Sequence, residues 1–106
     1  MTELDLKDPE ILKKKLNLDT AKIDWQLLHS YQQDQAVIEV SESLDLIEVA
    51  SEFVLDNHAN VKAWLDSGQI EKVSDEKATK WHQEKHAVWA VVVAPWVLVQ
   101  DKKASD

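Results

Sequence analysis

The chain has 106 residues and a formal net charge of −8, with no cysteine, no arginine and a single glycine. Without cysteine it cannot form disulfides, thiolate nucleophiles or cysteine-ligated metal centres. Its charged N-terminus, and the lack of an apolar run near the roughly 20 residues of a spanning helix, predict a cytoplasmic protein. One glycine is too few for the glycine-rich loops that bind nucleotide phosphates.

The negative charge is concentrated in the middle of the chain. Eight carboxylates and no lysine lie between Ile23 and Val61, whereas the remaining twelve carboxylates equal the twelve lysines outside that window. Surfaces that bind nucleic acids or anionic membranes are basic. We therefore expect neither nucleic acid nor a membrane as a partner, and a basic protein as a possible one.

The N-terminal half predicts two helices and a strand. Asp8-Pro9-Glu10 is a helix start, since Asp caps, Pro suits the first turn and Glu favours the positive end of the helix dipole. Residues 18–23 are predicted to be a connector. Asp24 is expected to cap a second helix with Trp25, Leu28 and Tyr31 on one side. The β-branched run Ala36–Val40 predicts a strand.

The second half predicts three helices and two strands. Residues 44–56 have the strongest apolar stripe of the chain, with Ser43 and Asp45 as alternative N-caps. Another helix follows Asp56-Asn57 and ends at Gly68, a residue suited to a left-handed cap. A short strand at 70–73 precedes a helix at 75–86, for which Ser74 is the expected cap.

The last predicted element is Ala87–Gln100, a run without charges in which valine and tryptophan dominate. Such a run is typical of a strand that is covered on both faces. Pro95 lacks a backbone donor, so the strand is expected to bend, bulge or lie at an edge there. A bent strand with a free edge would also allow a homodimer through this segment.

The predicted class is therefore α/β or α+β, with helices packed on a small three-stranded, mostly parallel or mixed sheet and the element order ααβααβαβ. A single globular domain is expected over residues 8–100. Residues 1–7 are predicted to fray, and residues 101–106 to form a disordered tail.

Four segments together resemble a known family: LNLDTAKIDW (16–25), SLDLIEVA (43–50), VKAWLDSGQI (61–70) and APWVLVQ (94–100). The chain resembles a family of small bacterial proteins of about this length that is described only as a domain of unknown function. The resemblance implies a bacterial, cytosolic origin. It implies no catalytic or binding residues.

The first candidate site is a row of carboxylates, Asp45, Glu48, Glu52 and Asp56. The i,i+4 pairs Glu48/Glu52 and Glu52/Asp56 each cost about 0.2–0.5 kcal/mol in an isolated helix, and no lysine lies between them. The row is a hypothetical surface for a basic partner; the alternative is a solvated face that keeps the protein soluble. The spacing does not match a calcium-binding loop.

The second candidate site is a pocket at the Pro95 bend, with walls formed by Trp64, Trp81 and Trp96. Five tryptophans are many for this length, and the alternative is that they simply fill a small core. The pair His82 and His86 departs from the H-E-x-x-H zinc motif and is expected to lie on the surface. We predict no metal site and no cofactor.

Three functions remain open from the sequence. The favoured one is an acidic interaction or regulatory module that uses the carboxylate row. The alternative is a small-molecule binding protein or minor enzyme with its site at the Pro95 bend, although the sequence contains no recognisable catalytic motif. A mimic of nucleic acid is the third, because its charge has the correct sign but covers only the middle of the chain.

Overall fold

In the computed structural model, which describes residues 8–101, five strands form one mixed sheet. The strands lie in the order β1-β4-β5-β2-β3; β5 and β2 are parallel, and all other neighbours are antiparallel. The α/β class is confirmed, whereas the predictions of three strands and of the order ααβααβαβ are wrong. The strands are β1 (Ala21–Asp24), β2 (Val37–Val40), β3 (Ile70–Lys72), β4 (Ala87–Val93) and β5 (Trp96–Gln100).

The helices begin largely where the sequence predicts. The Asp8 carboxylate accepts a hydrogen bond from the Glu10 amide at 3.0 Å, and the Ser74 hydroxyl accepts one from the Lys77 amide at 3.1 Å. Asp24 precedes a 3₁₀ helix rather than the predicted α-helix, and its side chain makes no capping hydrogen bond. The helices are α1 (Pro9–Asp19), α2 (His29–Gln33), α3 (Leu46–Val54), α4 (His58–Ser67) and α5 (Asp75–Gln83), with the 3₁₀ helix at Trp25–Leu28.

The two additional strands lie in segments for which the sequence predicts a connector and a single bent strand. The predicted connector 18–23 is instead the last turn of α1 followed by β1, which pairs with the start of β4. The predicted bent strand is a hairpin: β4 and β5 pair antiparallel, with Val93 opposite Trp96 and a cis peptide between Ala94 and Pro95. Reversal at this turn halves the length of the run, which therefore fits a small domain.

Both faces of the sheet are covered along most of the valine-rich run, as the sequence predicts, although Val92 is exposed. Along β4, Trp89, Val91 and Val93 pack on one face, while Val88 and Ala90 pack on the other. Helices α1, α3 and α4 cover the first face, and the 3₁₀ helix and α5 cover the second. Since each side of β4 meets apolar side chains, the strand carries no polar alternation.

The sheet edges bear on the homodimer predicted through the Pro95 segment, which stays a prediction. β1 and β3 are the edge strands, and the two halves of Ala87–Gln100 each lie between two other strands. β1 pairs only with Ala87–Ala90 of β4, so Val91–Val93 has no strand partner on that side of the described sheet, whereas β5 is flanked by β4 and β2. Residues 1–7 and 102–106, predicted to be frayed or disordered, lie outside the described residues. Asp101, the first residue of the predicted tail, is described, and its Oδ1 atom lies 2.6 Å from His86 Nε2. Within residues 8–101, no helix has the length and apolarity to cross a membrane.

Gly68 ends α4 with φ 78°, in the left-handed region, and a Cβ added there would meet no atom within 4 Å. We expect Gly68→Ala to lower the free energy of unfolding by about 1–2 kcal/mol, because only the backbone preference changes. Chemical denaturation measures the free energy of unfolding of the wild type and the variant. Gly68→Asn serves as the control and should cost less, since asparagine tolerates this conformation. An alanine variant as stable as the wild type would contradict this account.

Candidate functional site

A groove lies beside the β4–β5 turn, where that turn meets the connection between α3 and α4. Its cavity of about 190 Å³ is lined on one side by Glu52, Phe53 and Asp56, and on the other by Pro95 and Trp96. We call it the turn groove. Two residues of the predicted carboxylate row and two of the predicted pocket therefore line one site, although some forty positions separate them in the sequence.

The end of α3 brings its carboxylates to this groove. The sequence predicted a helix as far as Asp56, but α3 ends at Val54. The amide of Asn57 donates to the Glu52 carbonyl and that of Asp56 to the Phe53 carbonyl, the two bonds of a Schellman motif. Asp56 has φ 56°, which Asp tolerates better than most residues. The reversal turns the Asp56 backbone toward the β4–β5 turn.

The carboxylate row is thereby divided into three environments. Asp45 caps α3, its carboxylate accepting from the Ile47 amide at 2.9 Å. Glu48 is exposed and does not line the groove. Glu52 accepts a hydrogen bond from Asn60 at 3.2 Å. Among the described residues no lysine or histidine forms an ion pair with any of the four, so the charge of Glu52 and Asp56 is uncompensated.

The groove has an apolar floor. Val93 is buried, and Phe53, Val61 and Trp96 are partly buried against the core of the first face. The Lys72 ammonium lies 5.6 Å from the centre of the Trp96 ring, within the range of a cation–π contact that helps to hold this ring. An apolar side chain could bury surface here while a cation contacts the carboxylates at the rim.

The turn groove continues into a second cavity between α1, α3 and β4. This cavity measures about 400 Å³ and shares Phe53, Asp56, Val93 and Ala94 with the turn groove. Val54 and Val92 in its lining are 43% and 56% exposed, high for valines in a helix and a strand of the core. The two cavities together form a trough with one carboxylate, Asp56, in its shared part, and the second cavity is also lined by Lys15 and Asp19.

The other two tryptophans of the predicted pocket lie elsewhere. Trp81 was wrongly placed at the bend: it is buried on the opposite face, 4.9 Å from Trp25 between ring centroids. The ring of His86 stacks on Trp81 at 5.5 Å. Trp64 packs against the first-face core but does not line the turn groove. Helical spacing alone places a tryptophan on an apolar face and cannot say which face of the sheet it meets.

The structure places the two histidines of the pair on different elements. α5 ends at Gln83, so His82 and His86 are not on one helix, and His86 contacts Asp101. Within the described range, no group of three or more His, Asp or Glu side chains is arranged to hold a metal ion. His82 and His86 therefore lie in different local environments.

Residues 11–101 match the family described as "Protein of unknown function (DUF2288)". The chain belongs to this family. It is also similar to PA1075 from Pseudomonas aeruginosa, a protein with an NMR solution structure. The two structures superpose with a TM-score of 0.75 and 33% sequence identity, over 99% of this chain and 97% of PA1075. No curated protein matches the chain. The predicted resemblance is confirmed. The DUF2288 description names no activity, so a function can be inferred only from the geometry of the candidate site.

The sequence missed several groove residues of this DUF2288 protein. Phe53 lies in the predicted apolar helix 44–56, and His58 and Val61 lie in the helix predicted after Asp56-Asn57, but none of the three is among the predicted site residues. The pair Asp56-Asn57 was a usable signal, because both residue types favour helix ends and left-handed backbone. No local signal indicated that this helix end contacts the β4–β5 turn.

Proposed function

We propose that this protein is a small acidic, cytoplasmic interaction module that binds a basic segment of a partner protein in the turn groove. An apolar side chain of the segment packs on Phe53 and Trp96, and a lysine or arginine beside it pairs with Glu52 and Asp56. The observation that carries the proposal is that two uncompensated carboxylates and the Pro95–Trp96 turn line the same groove.

The two kinds of lining have separate roles in this proposal. Burial of an apolar anchor supplies affinity, as in other interfaces where aromatic residues dominate the binding energy. The carboxylates select the charge of the partner and orient it. The net charge of −8, which arises between Ile23 and Val61, attracts a basic partner over a longer range.

The alternative, a small-molecule or catalytic site at the Pro95 bend, has less support. The turn groove alone has a volume of about 190 Å³, below the roughly 300–1,000 Å³ of most ligand pockets, and reaches that range only together with the cavity of about 400 Å³ beside it. His58 lines the groove, but no serine, threonine, cysteine or lysine accompanies it among the described lining residues. One side chain of a peptide fits this volume better than a whole metabolite.

Isothermal titration calorimetry with a peptide library tests the proposal. The probes carry leucine or phenylalanine flanked by arginine, and matched peptides carry citrulline, a neutral isostere, in place of arginine. We expect Glu52→Gln combined with Asp56→Asn to weaken binding of the best arginine peptide by roughly tenfold or more, because charge-assisted hydrogen bonds are lost. Asparagine at 56 tolerates the positive φ, so the fold is retained.

Glu42→Gln combined with Glu48→Gln is the matched control, since both residues are exposed, lie outside the groove and change the net charge equally. The control should bind as the wild type does. Equal weakening in the two double variants would show that the carboxylates act only through general charge. Equal binding of the arginine and citrulline peptides would show that the cation contributes nothing to binding, and either result would overturn the proposal.

A further inference from the structure

A larger cavity lies on the opposite face of the sheet, between α2 and α5. It measures about 480 Å³, within the range of small-molecule sites, and shares no lining residue with the turn groove. Trp25 and Ala78 contribute apolar surface to its wall. We call it the α2–α5 cavity.

The polar lining comes from facing helix stripes. On α5, Asp75, Ala78, Thr79 and His82 recur at helical spacing and line the cavity on one side. Four glutamines and His29, from the 3₁₀ helix, α2 and the turn that follows, line the other. The cavity is therefore rich in amide and imidazole groups that can hydrogen-bond a polar ligand.

The charge of the lining favours a cation. Asp75 is the one carboxylate of the described lining, and no lysine accompanies it. Asp75 forms no ion pair with any residue that the structure describes. The nearest lysine along α5 in sequence, Lys77, is instead held by Glu39 at 2.6 Å. The formal charge that the lining presents is therefore negative and unpaired.

Gln32 is held in place in the α2 wall of the cavity. Its amide nitrogen donates to the Val73 carbonyl at 3.0 Å, which fixes the orientation of the amide. Its oxygen Oε1 is buried and has no hydrogen-bond partner. Because this oxygen is not exposed in the cavity, the accessible amide acceptors of the lining are those of the exposed residues Gln26, Gln33 and Gln35.

We propose that the α2–α5 cavity binds a small organic cation, an alkyl ammonium or guanidinium compound, whose charge pairs with Asp75 and whose donors reach the oxygens of the exposed glutamines. An inorganic cation is disfavoured, because the described residues contain no cluster of three ligating carboxylates or imidazoles. The site is independent of the turn groove, and its test does not involve that groove.

An NMR titration of the full-length protein tests the proposal with three probes of similar length: putrescine, agmatine and the uncharged butane-1,4-diol. We expect saturable shifts of amide signals in residues 25–35 and 75–82 with putrescine or agmatine, and none with the diol. A lysine-containing pentapeptide is a fourth probe. Saturation by the peptide alone, or equal shifts with the diol, would overturn the assignment of a small organic cation.

Asp75→Asn should weaken binding of the better cation by roughly tenfold or more, and Asp75→Glu, which keeps the charge, should retain it. Asp66→Asn removes one exposed carboxylate from α4 on the other face and should have no effect. The dispersion of the amide spectrum shows whether each variant is folded. Equal weakening by Asp66→Asn, or shifts spread over all acidic surfaces, would mean nonspecific charge binding and would overturn the proposal.

Discussion

Replacing Trp81 by alanine is expected to lower the free energy of unfolding by about 3–5 kcal/mol, as large-to-small core substitutions of tryptophan do. Trp81 is 4% exposed and packs edge-to-face on Trp25, while His86 stacks on its ring. The Lys77 ammonium also lies 5.2 Å from its ring centre. Truncation would open a cavity in the second-face core and remove all three contacts. Urea denaturation followed by circular dichroism measures the loss.

Trp96→Ala is the informative comparison, because Trp96 is only partly buried and lines the turn groove. It should cost less stability than Trp81→Ala and should reduce peptide binding, whereas a folded Trp81→Phe variant should bind peptide as the wild type does. Equal destabilisation by the two alanine substitutions would contradict the assignment of Trp81 to the core and Trp96 to the groove.

Gln100→Ala is expected to cost about 2–4 kcal/mol, from a cavity in the core and from lost hydrogen bonds. The side chain is fully buried at the end of β5, and its amide nitrogen donates to the carbonyls of Ser41 at 2.8 Å and Leu44 at 2.7 Å. The Ser41 carbonyl keeps a second bond from the Leu44 amide, but the Leu44 carbonyl would lose its donor. Gln100 therefore ties the start of α3 to the sheet.

Gln100→Leu separates the two contributions, since leucine fills most of the volume but donates no hydrogen bond. We expect it to remain less stable than the wild type by about 1–3 kcal/mol. Gln69→Ala is the control: its side-chain oxygen accepts a solvent-exposed bond from Ser67, and its loss should change stability by no more than about 0.5 kcal/mol. A leucine variant as stable as the wild type would show that these bonds contribute nothing to the net stability.

The two halves of the turn groove show where prediction from the sequence stops. The charge of Glu52 and Asp56 follows directly from composition, and so does the unusual position of Pro95 in an apolar run. Their meeting depends on α3 packing on the first face, on the Schellman ending of α3 and on the reversal of the chain between β4 and β5. None of these long-range arrangements leaves a local pattern.

Local physical chemistry in the sequence determined the helix starts at Asp8 and Ser74, the left-handed end at Gly68, the strand Val37–Val40 and the burial of both faces of the valine-rich run. Each depends on a few neighbouring residues or on one hydrophobic period.

The tertiary structure alone decided that Ala94-Pro95 is a hairpin turn rather than a bend, and that the mostly exposed segment Ala21–Asp24 is a strand. It also decided that Trp81 and Trp96 lie on opposite faces of the sheet. Strand pairing and face assignment arise from contacts between distant residues, so nearby residues carry little information about them. The turn groove also depends on such contacts between distant residues, so the sequence by itself does not predict it.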